Sequence, residues 1–236
     1  MIGARVVTPE GPRDIRARIV IGADGRNSFV ARAVAASTEE MEPASRGFYY
    51  RYMRGFASPD GRMAGAAEFW QREDELAYVL PGDAGVTCVA LSLNLEDFAW
   101  LRLAPQERFH ERLEQHVGLA ERVRAAEAYG PVLGNGPIPN YVRVPIGCGW
   151  ALVGDAGLHQ DPWSGLGLDM ASIHATFLTD ALLAWFGQNA SESDALASYH
   201  RRRNNHALAG YHRTVALARD LRQLKREVSE PDLASA

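Results

Sequence analysis

No stretch of this chain is apolar for long enough to cross a bilayer, and it carries no internal repeat or low-complexity tract. Cysteine is scarce. Cys88 and Cys148 are the only two in 236 residues and stand far apart, which argues against a disulfide framework or a metal site and fits a reducing cytoplasm. Positive charge is not in excess either: 25 Lys and Arg face 29 Asp and Glu, a net charge of -4, so no nucleic-acid partner is expected and small molecules are. The first residues lack the basic start and apolar core of a secretory signal, as expected of a cytoplasmic protein. With 47% hydrophobic and 23% charged residues, the chain has the composition of a globular protein able to bury a core as one large domain or two small ones.

What is present is concentrated in two acidic turns. The run Trp150 to Val153 reads as a strand and leads into Gly154-Asp155-Ala156-Gly157, followed by Asp161-Pro162-Trp163-Ser164-Gly165-Leu166-Gly167-Leu168 and a long helical pattern. A carboxylate at a strand end, with glycines before a helix N-terminus, lets backbone NH groups approach an electron-rich ligand. The second turn is Gly22-Ala23-Asp24-Gly25-Arg26-Asn27-Ser28, between a buried strand (Ile19 to Ile21) and a short helix that Ser28 is placed to cap. Asp24-Gly25 alone has the composition of a plain turn.

The pattern divides the chain at about residues 36 and 144. Residues 1–36 read as hairpin, strand, turn and helix. Residues 37–144 carry aromatic and β-branched runs, among them Phe48 to Met53, Glu68 to Gln71, Leu76 to Leu80 and Val86 to Leu95, with a hairpin turn at Pro81-Gly82-Asp83-Ala84-Gly85. Val89, Leu91, Leu93 and Leu95 alternate with Cys88, Ala90, Ser92 and Asn94, which predicts an antiparallel sheet with one buried side. A helix after Pro105 is predicted from Phe109, Leu113, Val117 and Leu119. In residues 145–236, Met170, Ile173, Phe177, Leu178, Ala181, Leu182 and Trp185 keep helical spacing up to a stop at Gly187, and Ala195 to Leu224 reads as a further helix. Its Arg201-Arg202-Arg203 reads as a solvated face.

Asp24-Gly25 and Gly154-Asp155, in this order with a strand-rich segment between them, resemble the DG and GD motifs of the single-component FAD-dependent monooxygenases of the para-hydroxybenzoate hydroxylase fold. The resemblance implies an α/β (mixed α+β) chain: the C-terminal part of a Rossmann-like FAD-binding domain (1–36 and 145–236) plus an antiparallel-sheet substrate domain (37–144). It implies FAD as cofactor, NAD(P)H as reductant and a small organic substrate. Residues expected near FAD are Asp24, Gly25, Asp155, Ala156, Pro162, Gly165, Leu166, Gly167 and Leu168, with Asp155 accepting hydrogen bonds from ribityl hydroxyls. No catalytic side chain and no metal ligand is assigned. Tyr50, Tyr52, Trp70 and Trp163 suit an aromatic substrate pocket and suit core packing equally well. His159 is placed either as a general base or as a hydrogen-bonding loop residue.

The chain departs from that family in one large respect. No Gly-x-Gly-x-x-Gly turn occurs in it; Gly134-Asn135-Gly136 and Gly147-Cys148-Gly149 lack the third glycine and open no helix. An upstream βαβ unit is therefore expected to be missing, with sheet edges left open to self-association. The competing expectations are a non-catalytic fragment unable to hold FAD alone and a flavin-dependent reductase of the same superfamily. Asp169 also stands where the family often has Asn.

Overall fold

The computed structural model describes residues 1–57 and 65–224. In chain order its elements are β1 (Gly3–Thr8), β2 (Gly11–Arg16), β3 (Val20–Gly22), α1 (Phe29–Ala33), β4 (Thr38–Glu42), β5 (Arg46–Arg54), β6 (Glu68–Arg72), β7 (Glu75–Pro81) and β8 (Val86–Asn94). Helices α2 (Leu95–Leu101), α3 (Pro105–Glu114) and α4 (Ala120–Ala125) follow, then β9 (Glu127–Asn135), β10 (Asn140–Arg143), β11 (Ile146–Gly147), β12 (Trp150–Leu152) and β13 (Leu158–His159). Two long helices, α5 (Gly167–Phe186) and α6 (Glu192–Ala218), complete the described chain. The chain has a mixed α/β fold with antiparallel sheets and divides into two compact units. One comprises Met1–Pro43 and Pro139–Val215; the other comprises Ala44–Ile138 and the segment from Ala216.

In the first unit β3 and β12 run parallel, Val20 opposite Trp150 and Gly22 opposite Leu152, while β11 pairs antiparallel on the far side of β12. Gly22 is needed there for space, because an added Cβ would lie 2.7 Å from the Leu152 side chain and 2.9 Å from that of Val30. Beside this sheet, β10 is the middle strand of a second one, between β13 and β4. Helix α5 begins and ends close to where the sequence pattern puts it, with Gly187 as its C-cap. Ala151, Leu178, Ala181, Leu196 and Tyr199 form a core between β12 and the two long helices.

The second unit is built on one antiparallel sheet in the order β6-β7-β8-β5-β9. Its core face brings Tyr49, Met53, Ala77, Val79, Val89, Leu91 and Leu93 against Phe98, Leu101, Phe109, Leu113, Leu119 and Val123. The strand stops one residue earlier than its pattern: Asn94, the last residue of β8, accepts the Asp97 NH at 2.9 Å and caps α2, so Leu95 begins the helix and is exposed. Helix α3 also ends early, at Glu114. Val117 is 91% exposed while Leu119 is buried, because the chain turns at Gly118, whose φ is +89°. Behind that turn, the His116 Nε2 lies 2.6 Å from a Glu75 carboxylate that also accepts from Arg112.

Candidate functional site

Because β3 and β12 are parallel neighbours, both acidic turns leave the same edge of one sheet. In open α/β sheets that carboxyl edge is where ligands bind. Ala23 and Gly25 from the first turn, Val153, Gly154 and Asp155 from the second, and Gly167, Leu168, Ala171 and Ala175 from α5 line a single cleft of about 450 Å³. Gly167, Ala171 and Ala175 recur every four residues, so the helix turns a face of small side chains toward the opening.

The first turn is organised by its own acid. The Asp24 carboxylate accepts the NH groups of Phe29 at 2.7 Å and Val30 at 3.2 Å, and the Ser28 hydroxyl accepts that of Ala31 at 2.9 Å. Partial burial acts to raise the Asp24 carboxyl, but its hydrogen bonds with Ser28, Val30 and Phe29 outweigh burial and hold it below the ordinary range. Asp24 thus ties the loop to the start of α1, and its neighbours on either side face the cleft.

In the second turn every carbonyl is bonded within its own unit. That of Gly154 accepts the Gly157 NH (2.9 Å), that of Asp155 the Tyr141 hydroxyl (2.7 Å) and that of Ala156 the Arg143 guanidinium (2.7 Å). That of Gly157 accepts both the Arg143 NH (2.8 Å) and Arg203 (3.2 Å). The Asp155 carboxylate makes no hydrogen bond or ion pair among the described residues, and Asp155 lines the cleft. Ala156 is fully buried beneath the turn.

Asp161, Pro162 and Gly165 shape the approach to α5. The Asp161 side chain accepts the Trp163 NH at 3.0 Å, Pro162 starts a single 3-10 turn, and Gly165 closes it at φ +72°. Leu166, the N-cap of α5, offers no side chain to the first-turn NH groups. A Cβ at Gly165 or Gly167 would meet nothing within 4 Å, so the backbone is open there to an approaching group. Leu168 is 85% exposed.

The remaining candidates are dispersed. Tyr50 and Tyr52, ring centroids 6.1 Å apart, stand on the face of the five-stranded sheet opposite its core, as do Phe69 and Tyr78. Trp70 is on the other face: it pairs with Ala77, packs against the core and donates its indole NH to Glu68. Trp163 is buried in the first unit, donating to the Thr214 carbonyl at 2.9 Å. His159 is a buried hydrogen-bonding residue in β13 rather than in a loop; its Nδ1 lies 3.0 Å from the Pro139 carbonyl and so carries the proton. Burial lowers its pKa against the opposing pull of Asp155. Of Arg201-Arg202-Arg203, the first two are exposed but Arg203 is 1% exposed and bonds the carbonyls of Arg143 and Gly157.

Sequence reasoning passed over Tyr141 and the Ala171/Ala175 face, and it put Arg203 on a solvated face when it is buried. Only the Ala171/Ala175 face had a readable signal, the four-residue spacing from Gly167. Among the described residues, no three of His, Cys, Asp and Glu cluster as metal ligands, and no helix is long and apolar enough to cross a membrane.

The chain has the fold of the FAD-dependent monooxygenases. It is similar to PqsL of Pseudomonas aeruginosa, solved in complex with 2-aminobenzoylacetate, at 26% identity and a TM-score of 0.75 over 91% of this chain and 58% of that one. It is likewise similar to the myxobacterial chondrochloren halogenase CndH, an FAD-dependent halogenase (20% identity, TM-score 0.79, 91% of this chain, 50% of that one). Aklavinone-11 hydroxylase, solved with FAD and aklavinone, matches at 18% identity and a TM-score of 0.69, over 91% of this chain and 39% of that one. The chain spans well under two thirds of the length of these proteins. No family model and no curated protein matches the sequence.

Proposed function

We infer that the cleft between the two acidic turns holds FAD, and that the protein serves an FAD-dependent oxidoreductase of the monooxygenase type acting on a small organic substrate with NAD(P)H as reductant. The observation that carries this reading is the common cleft formed by Gly25, Asp155 and the start of α5 at the carboxyl edge of two parallel strands. Bound FAD would supply the redox chemistry; the chain supplies orientation and electrostatics.

Asp155, its carboxylate otherwise unbonded, accepts hydrogen bonds from ribityl hydroxyls. The uncapped NH groups of Gly167 and Leu168 would serve an electron-rich part of the bound cofactor, since the helix N-terminus favours negative charge by about 0.3 to 2 kcal/mol. Gly25 and Gly165 would leave room for its close approach, Pro162 would fix the backbone ahead of α5, and Leu166 and Ala156 would shape the turns that hold it. Asp24 acts by holding the first turn in place. Tyr50 and Tyr52 belong to the face that meets an aromatic substrate, whereas Trp70 and Trp163 serve packing.

A second reading, a fragment that holds no FAD by itself, is favoured by the missing Gly-x-Gly-x-x-Gly turn and the share of its relatives that the chain spans. It fits β3, an edge strand with Ile21 41% exposed, as a site of self-association. Titrating the chain with FAD and following flavin fluorescence separates the two. Quenching that Asp155→Ala weakens supports the first; unquenched fluorescence at saturating protein selects the second, with size-exclusion chromatography reading its association.

A further inference from the structure

The two acidic turns meet at one atom. Tyr141, 3% exposed at the centre of the β13-β10-β4 sheet, sends its hydroxyl to the carbonyl of Arg26 at 2.9 Å and to that of Asp155 at 2.7 Å. A tyrosine hydroxyl has one proton, so the two carbonyls compete for it. The ring is held from two sides: His159 stacks on it at 5.6 Å between centroids, and the Arg143 guanidinium lies 4.0 Å from its centroid. Arg143 in turn bonds the Ala156 carbonyl, one residue along the second turn.

We propose that Tyr141 is the positioning residue of this site: by sharing its proton between the Arg26 and Asp155 carbonyls it fixes the distance between the two turns, and hence the width of the cleft. The functional half rests on the cofactor reading above; the mechanical half does not. Tyr141 is not among the residues lining the cleft and its hydroxyl bonds the turns through their backbone carbonyls, so its influence on a ligand is exerted through their spacing. Its neighbour Val142, fully buried on the same strand, has no polar group and serves as the structural control.

The test uses the full chain. In Tyr141→Phe the ring and its stacking stay and only the hydroxyl goes. Amide hydrogen exchange without ligand should accelerate about five- to tenfold in residues 25–30 and 154–157 together, while amides of the strand Val86–Asn94 keep their rates. The FAD dissociation constant, from fluorescence quenching, should rise about fivefold. Val142→Ala should speed exchange broadly through the first unit without singling out the two turns. 4-Aminophenylalanine at position 141 offers two N–H donors, one for each carbonyl. It should restore native exchange and affinity, and it remains informative should the Phe variant fail to fold.

Acceleration in one turn only, or the same broad pattern as Val142→Ala, overturns the bridge. Loosened turns with unchanged FAD affinity overturn its role in binding. If the native chain itself leaves FAD unbound, the cofactor reading falls and the exchange data alone decide for or against the bridge.

Discussion

Gly154 and Ala171 meet where the second acidic turn crosses α5: a Cβ built on Gly154 would lie 3.2 Å from the Ala171 Cβ, and Gly154 already holds φ +60°. Gly154→Ala therefore combines left-handed backbone strain with a contact against a helix that cannot yield easily. We expect a loss of about 1 to 3 kcal/mol in urea unfolding, with FAD binding weakened further as the cleft narrows. An unchanged unfolding midpoint would show that the turn has more slack than this geometry allows.

Asp24 is a capping acid, and its loss should appear first in stability. Asp24→Ala leaves the Phe29 and Val30 NH groups without their acceptor and should lower the thermal midpoint. Since the folded carboxyl sits below its ordinary value of 3.8, the stabilisation is complete above that pH and is lost as pH falls through the lower folded value. Thermal melts of both proteins should therefore converge in strong acid. A constant difference at every pH would mean that the charge does not matter.

His174 carries the opposite kind of sensitivity. It is 1% exposed on α5, and burial, with Arg203 and His206 adding to it, lowers its pKa from 6.5 to about 4. The unfolded chain then binds a proton that the folded chain refuses, so stability is intact above pH 6.5 and declines as pH falls toward 4. At about 1.4 kcal/mol per pH unit the contribution is at most ~3 kcal/mol. His174→Phe should flatten urea stability between pH 6.5 and 4.5. Some slope will remain, since His159 and His200 also have lowered values. An undiminished slope would assign the decline elsewhere.

Arg203 holds the back of the second turn. Arg203→Met removes the donor that Arg203 gives the Arg143 carbonyl and leaves the Gly157 carbonyl with the Arg143 NH alone, and should cost about 1 to 3 kcal/mol. Arg203→Lys should recover only part of that, because an ammonium cannot reproduce the fork that also grips Asn204. Equal stability of the Lys variant and the native chain would refute the argument.

The parts legible in the sequence were those with a period or a punctuating residue. Helix α5 announced itself through its apolar spacing and Gly187, β8 through strict alternation, and both turns through glycine beside aspartate after a strand. What stayed hidden depended on register and depth. Tyr50 and Trp70 look equivalent in one dimension, but pairing across β7 and β8 puts Trp70 in the row of Ala77, Leu91 and Tyr49, on the other face from Tyr50. Arg203 looks like its neighbours Arg201 and Arg202 until the helix phase turns it inward to two carbonyls. Tyr141 carried no local mark, since its partners come from segments remote in the chain.

That remoteness bears on how the protein reaches its native state. Arg26 and Tyr141 are 115 residues apart, and nearly the whole five-strand unit lies between them. Closing so long a loop costs chain entropy that only the finished junction returns, so β3 and β12 should find each other late, after local hairpins and helices have formed. Until then a nascent chain displays an open parallel edge, a period when chaperones or fellow chains have access to it.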